Sequence, residues 1–230
     1  MHKKIGIVGG LSPESTIKYY QYITRKYYER FADYSYPEIL IYSVNFQQFI
    51  NWQKEGNWNN IAERLVHATQ AIHAAGADFG LIAANTMHIV FDKVQKKSPI
   101  PLISIIEATA AAIKKEEIKT VGLLGTIHTM RERFYKEGLL KHGIMTIVPE
   151  PGGQEFINKV IYDELTKGQI NQKSKQVYIE IINKLKSRGA EGIVLGCTEI
   201  PLLVQQNDCN IKLFNTTEIH AQKALNLAVE

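Results

Sequence analysis

Two cysteines in 230 residues, Cys197 and Cys209, are too few for a disulfide framework, and their scarcity fits a reducing compartment. No apolar run approaches the roughly 18 residues that a membrane span requires, so a soluble chain is expected. No block of five or more like charges occurs, and the net charge of +4 is spread along the chain, which leaves no electrostatic footprint for nucleic acid. The opening residues, Met1 to Gly10, hold two lysines followed by Ile-Gly-Ile-Val-Gly-Gly. That apolar stretch is too short for a signal-peptide core and reads as a buried first strand, so a cytoplasmic protein is expected. The seven histidines are scattered, and His67 and His73 are six apart, the wrong separation for one helix face, so no metal is expected. Gly6-Ile7-Val8-Gly9-Gly10-Leu11 supplies only part of a Gly-x-Gly-x-x-Gly fingerprint, and no persuasive ribose-binding acid stands about 20 residues on; a nucleotide cofactor is excluded.

What is present is the balance of an ordinary globule, 45% hydrophobic and 22% charged. Apolar bursts of strand length recur at Ile5–Val8, Ile39–Val44, Phe79–Ala83, Leu102–Ile105, Val121–Leu124, Ile144–Val148, Ile193–Leu195 and Lys212–Phe214, with helical periodicity between most of them. This alternation predicts an α/β protein with parallel sheets covered on both faces. Ser12-Pro13-Glu14-Ser15 predicts a helix start, and Ala74-Ala75-Gly76 and Ser187-Arg188-Gly189 predict glycine-stopped helix ends.

The chain also repeats itself. Gly76-Ala77-Asp78 through Thr86 lies over Gly189-Ala190-Glu191 through Glu199 without a gap at an offset of 113, which sets Ala84 opposite Cys197. Ile5 through Gly10 matches Val121 through Thr126 at an offset of 116, and Pro101 through Glu107 matches Lys212 through Glu218 at 111. Three blocks at nearly one offset predict two pseudo-symmetric three-layer αβα halves, residues 1–103 plus 215–230 and residues 104–214, with the active site in the cleft between them.

Cys197 follows a strand and a glycine and precedes Thr198-Glu199-Ile200-Pro201, where a helix is expected to begin; helix amides at that place would lower its pKa toward a thiolate. The alternative is a small buried hydrophobe. Cys209, in a polar loop, has no comparable setting. Ala84-Asn85-Thr86-Met87-His88 occupies the matching turn of the first half and offers an amide, a hydroxyl and an imidazole for recognition, or a simple helix cap. Gly6 to Gly10 and Thr126-Ile127-His128-Thr129 can bring backbone amides to a small anion, or serve only as tight turns. Tyr19, Tyr20, Tyr22, Tyr27 and Tyr28 form an aromatic-rich helix suited to core or dimer surface, and Lys114–Lys119 reads as a solvated helix end.

Ile5-Gly-Ile-Val-Gly-Gly-Leu-Ser-Pro-Glu-Ser-Thr16, Ala84-Asn-Thr-Met-His88, Leu124-Gly-Thr126 and Gly196-Cys-Thr-Glu199 together resemble the aspartate/glutamate racemase family, over essentially the whole chain and most closely its L-aspartate/L-glutamate-specific branch. The resemblance implies a homodimer of two-domain subunits and a cofactor-free reaction in which two cysteines flank Cα of the amino acid, one removing the α-proton and the other reprotonating the opposite face. It assigns Cys197 to the side that handles the L-enantiomer. Leu11, Gln53, Asn85, Thr86, Thr126, Thr129, Thr198 and Glu199 match positions around the substrate. A lysine used by typical aspartate racemases would fall at Thr166, one residue before Lys167.

Ala84 departs from that pattern. The family position facing Cys197 holds cysteine, or threonine in the L-specific branch, and an alanine methyl cannot move a proton. Since each proton transfer typically contributes about 10²–10⁴ in rate, the loss is severe. Three explanations stand: a one-cysteine enzyme in which water, Thr86 or His88 serves the second face, a relative that binds acidic amino acids without catalysis, or a substitution introduced to trap substrate. An isomerase or hydrolase acting on another small dicarboxylate is a further alternative.

Overall fold

Apolar runs short enough for strands and flanked by turn residues become β1 (Ile5–Gly9), β2 (Ile39–Ser43), β3 (Phe79–Ile82), β4 (Leu102–Ile103), β5 (Thr120–Gly125), β6 (Met145–Ile147), β7 (Gly192–Gly196) and β8 (Lys212–Asn215). The structure, a computed structural model, describes residues 2–230; Met1 of the opening segment lies outside the described residues. Every strand pairs in parallel, giving two four-stranded sheets of order β2-β1-β3-β4 and β6-β5-β7-β8. The same strand order in each sheet is the three-dimensional form of the sequence repeat. The helices are α1 (Pro13–Phe31), α2 (Phe46–Lys54), α3 (Trp58–Ala74), α4 (Phe91–Lys97), α5 (Ile105–Lys115), α6 (Ile127–Arg131), α7 (Arg133–Leu140), α8 (Pro151–Asp163), α9 (Gln172–Ser187), α10 (Ile200–Leu203) and α11 (Thr216–Val229). The chain divides into two compact units, one running to Ile105 and completed by Thr217–Glu230, the other spanning Ile106–Thr216.

In the first unit the pleat sends alternate residues to opposite faces. Ile5, Ile7, Phe79 and Leu81 pack with Tyr19, Ile23 and Tyr27 of α1 and Ala221, Ala224 and Leu225 of α11. Val8 and Ile82 pack on the other face with Leu65, Ala68 and Ile72 of α3 and Val94 of α4. A sheet buried on both sides explains strands that are apolar throughout rather than alternating. In the second unit Leu124, Ile193 and Leu195 face Ile157, Val160 and Ile161 of α8 and Tyr178, Ile182 and Leu185 of α9. Val121, Leu123 and Val194 are fully buried at the alternate positions.

Helix ends fall where the local chemistry sets them. The Ser12 side chain caps α1 with Pro13 at its first position, and Gly76 and Gly189 take φ of +101° and +98° just beyond α3 and α9, a conformation that costs glycine nothing. The Lys114–Lys119 segment lies at the end of α5 and is largely exposed, as its composition indicates. Among the described residues no helix is long and apolar enough to cross a membrane.

Candidate functional site

In the second unit the candidate residues collect at the carboxyl ends of β5 and β7, which pair through Gly125 and Gly196. The approach of these two strands is close: a Cβ built on Gly125 would lie 2.8 Å from the Gly196 carbonyl oxygen and 2.9 Å from Thr129 Cβ. The bare backbone therefore brings Thr126 and Thr129 alongside the strand end that carries Cys197. Thr126 caps α6, accepting from the Thr129 amide, and the two threonine hydroxyls are 3.2 Å apart.

The Cys197 thiol is buried and donates to Glu199 Oε2 at 2.9 Å; the Thr198 hydroxyl donates to the same oxygen at 3.0 Å. Burial, reinforced by the charge of Glu199, pushes the thiol well above its ordinary range. The Thr198 and Glu199 backbone amides favour the thiolate, as expected at this position, but they are outweighed, so the resting group is the protonated thiol and not the helix-stabilised thiolate expected. The helix that follows, α10, is four residues long and begins only at Ile200, and a buried carboxylate stands between it and the sulfur. Negative charge and desolvation act in the same direction here, and both keep the proton on sulfur. Glu199 is directed at the thiol, a more specific placement than the general substrate contact expected of it.

Two residues that the sequence did not single out belong to the same neighbourhood. Tyr162 of α8 and Tyr178 of α9 both have phenols raised by burial and by the proximity of Cys197, with Glu199 adding to the effect on Tyr162 and Glu164 to that on Tyr178. Tyr178 donates to the Ile157 carbonyl at 3.1 Å. Their apolar spacing on amphipathic helices is indistinguishable from ordinary core tyrosines, so no sequence signal separated them. Thr166, half-buried, donates to the Tyr162 carbonyl at 3.0 Å, while Lys167 is exposed. Cys209 is half-buried just after a short 3-10 turn and packs at the edge of the same apolar cluster.

In the first unit Leu11, Ala84, Asn85 and Thr86 are buried at the ends of β1 and β3, and Gln53 is buried on α2, the helix that follows β2. Asn85 precedes a 3-10 turn, Thr86–Val90, without making a side-chain cap there, so the simple capping explanation does not apply to it. His88 is accounted for completely. Its Nδ1–H donates to the Ala84 carbonyl at 2.9 Å, its Nε2 accepts the Ile105 amide at 3.1 Å, and its ring stacks on Phe91 at 4.8 Å. Burial, with neighbouring His220, lowers it to about 3. Both ring nitrogens are thus engaged and the imidazole is neutral, which removes His88 as the acid or base for the second face. It holds the turn that carries Ala84.

The glycine turn is also corrected. The Gly10 amide donates to Thr16 Oγ1 at 2.8 Å, and a Cβ on Gly9 would strike Thr16. Gly10 itself has φ of +77° with Val44 backbone atoms 2.6 Å from a built Cβ. The glycines therefore serve strand and helix packing and do not present that amide to an anion. In the matching turn the Ile127 amide is likewise taken up, by Asn158 Oδ1 at 2.9 Å. Among the described residues no group of three or more His, Cys, Asp or Glu is placed to hold a metal ion.

The sequence model of the Asp/Glu/Hydantoin racemase family matches residues 8–224. An aspartate racemase homologue from Pyrococcus horikoshii is 41% identical, with 99% of this chain and all of that one covered and a TM-score of 0.87. The broad specificity amino-acid racemase RacX of Bacillus subtilis is 21% identical over 96% of both chains. Glutamate racemase from Francisella tularensis, solved with D-glutamate, shares the fold at 17% identity, covering 98% of this chain and 81% of that one with a TM-score of 0.67.

Proposed function

The chain belongs to the Asp/Glu/Hydantoin racemase family, and from that premise we propose that it is a cofactor-independent amino-acid racemase acting on L-aspartate or L-glutamate, with Cys197 as its acid/base and inversion impaired by Ala84. The observation that carries this reading is the hydrogen bond from the Cys197 thiol to Glu199. It gives the sulfur a built-in destination for its proton. Once that proton moves to the carboxylate, the thiolate removes the Cα proton of the bound amino acid, and the electron pair left on carbon spreads into the α-carboxylate. Thr126, Thr129 and Thr198 in one unit, and Leu11, Gln53, Asn85 and Thr86 in the other, are the recognition groups in this reading, their hydroxyl and amide groups suited to carboxylates.

The same geometry explains why the resting thiol is protonated. A substrate α-ammonium brings positive charge that offsets the charge of Glu199, so the sulfur becomes easier to ionise when an amino acid is bound. The pool of thiolate in the empty protein stays small, which limits side reactions of the cysteine.

Ala84 decides the stereochemical outcome. Returning the proton from Cys197 to the face it left gives exchange with retention, whereas inversion requires a donor on the other face. The Ala84 methyl cannot supply one and His88 is committed to backbone groups. The expected activity is solvent exchange of the Cα proton that outpaces racemisation. As the family resemblance implies, the protein works as a homodimer.

Proton NMR of L-glutamate and L-aspartate in deuterated buffer, followed by chiral chromatography, tests this reading in the chain itself and in an Ala84→Cys variant. Loss of the Cα–H signal with retained configuration in the first, and a racemate in the second, is the expected pair of results. No exchange in either variant, with calorimetric binding of both amino acids intact, would replace the enzyme by an acidic-amino-acid binding protein, the reading that Ala84 otherwise favours.

A further inference from the structure

Seven of the ten exposed large apolar side chains among the described residues fall between positions 17 and 41. The cause is visible on α1, which carries two stripes. Thr16, Tyr19, Ile23 and Tyr27 form the buried one. Ile17, Tyr20, Thr24, Tyr28 and Phe31 advance by three or four residues at a time along another face, where Ile17, Tyr20 and Tyr28 are 48%, 49% and 45% exposed. Spacing of this kind over four turns is what a helix offers to a partner helix. The stripe is continuous with its surroundings. The Tyr28 ring meets Tyr34 at 5.9 Å and Tyr34 meets Tyr36 at 6.5 Å. Tyr20, Thr24, Tyr36, Pro37 and Ile39 line a hollow of about 390 Å³, and Ile41 extends the face along β2, an edge strand of its sheet.

We infer that this aromatic face is where a second copy of the chain docks, α1 against α1 about a two-fold axis. The inference deepens the homodimeric reading above by naming its surface, and it rests on that reading. Three observations select a second copy. Taking ~200 Å² for each fully exposed large side chain, the exposures of the seven residues amount to about 700 Å², close to the roughly 800 Å² that each partner buries in a stable interface and beyond the few hundred tolerated on a monomer. The stripe itself carries no charged side chain, Ile17, Tyr20, Thr24, Tyr28 and Phe31 all being neutral, and the Arg30 guanidinium at its end stacks on the Phe31 ring at 4.8 Å. Finally, one face carries both the hollow around Thr24 and protruding rings, of which Tyr34 is 81% exposed. Knob and hole on the same surface is the self-complementarity that a two-fold contact requires, and tyrosine hydroxyls, being donors and acceptors, can meet their own kind.

The test is the mass of the full chain by analytical ultracentrifugation at micromolar concentration, for the wild type and for a Tyr20→Lys/Tyr28→Lys variant whose folding is checked by circular dichroism. A second arm places Thr24→Cys in a Cys209→Ser background and treats it with a short bismaleimide. A wild-type dimer, a dissociation constant raised about a hundredfold or more by the two lysines, and an inter-chain cross-link at position 24 are expected. A wild-type monomer would overturn both the homodimer and this face. A dimer that survives the lysines, or that gives no cross-link at position 24, would overturn the face alone. Should the lysine variant misfold, the cross-link decides. Amino-acid exchange, measured separately, judges the racemase reading.

Discussion

Replacing Glu199 by glutamine has two consequences of opposite sign, and only the proposed pairing of thiol and carboxylate predicts both. The substitution keeps the size of the side chain and an acceptor oxygen while removing the charge that the Cys197 thiol faces at 2.9 Å. A hydrogen bond to a charged group is worth about 1.5–3 kcal/mol, and losing the charge that opposes ionisation lowers the thiol pKa. Below that pKa the thiolate fraction rises, so iodoacetamide should alkylate Cys197 faster in E199Q than in the wild type between pH 7 and 9. Peptide mass spectrometry reads this directly, with half-buried Cys209 as the internal control. Exchange of the Cα proton should move the other way. A more acidic sulfur is a weaker base, and no carboxylate remains to take its proton between turnovers, so exchange should fall by about 10²–10⁴. Alkylation that is unchanged or slower in E199Q, or exchange that survives intact, would refute the reasoning.

Acid stability should follow the two buried histidines. His88 lies at about 3 and His220 at about 4 in the folded protein, both lowered chiefly by burial, against about 6.5 when unfolded. The unfolded chain therefore takes up protons first as pH falls, and their contribution is complete above about pH 6.5 and declines toward the folded values. At pH 5 the loss is about 2 kcal/mol for each. Urea unfolding at pH 7.5 and 5.0 should show it, and a His220→Gln variant should flatten the difference by half; an unaltered pH slope would argue against this origin. Gly125→Ala should lower the melting temperature, at a cost of about 1–3 kcal/mol, because the new methyl meets the Gly196 carbonyl oxygen at 2.8 Å. The KM for substrate should rise with it as Thr126 and Thr129 shift. Gly10→Ala should be at least as costly, since φ of +77° adds to a backbone clash with Val44; a melting temperature equal to the wild type would contradict the close approach.

The architecture was legible because its signals are local. All eight apolar bursts are strands, within a residue or two at their ends, and a parallel sheet buried on both faces leaves a run such as Ile193-Val194-Leu195 uninterrupted by polar positions. The offsets that aligned Gly76 with Gly189 correspond to matching glycines at φ of about +100°, each closing the helix before the strand that leads to the site. A geometric requirement common to both halves preserved a common residue.

The chemical state of the site was not legible, and the reason lies in what a one-dimensional reading cannot weigh. Cys197-Thr198-Glu199-Ile200-Pro201 reads correctly as a strand end followed by a helix, and a helix terminus suggests a stabilised anion. Yet α10 is a single turn starting three residues after the sulfur, and although the Thr198 and Glu199 amides act on the thiol in the expected direction, burial and the charge of Glu199 outweigh them. Desolvation depends on every element packed around a group, here α8 and α9 with Tyr162 and Tyr178, which lie far from Cys197 in sequence. The same limit applied to His88. Its position in the Ala84 turn advertised an imidazole available for proton transfer, and only the Ala84 carbonyl at one nitrogen and the Ile105 amide at the other show that none is available. A repeat can therefore identify the positions at which two halves have diverged, Ala84 against Cys197, while the proton affinity at each must be read from the surroundings that the fold assembles.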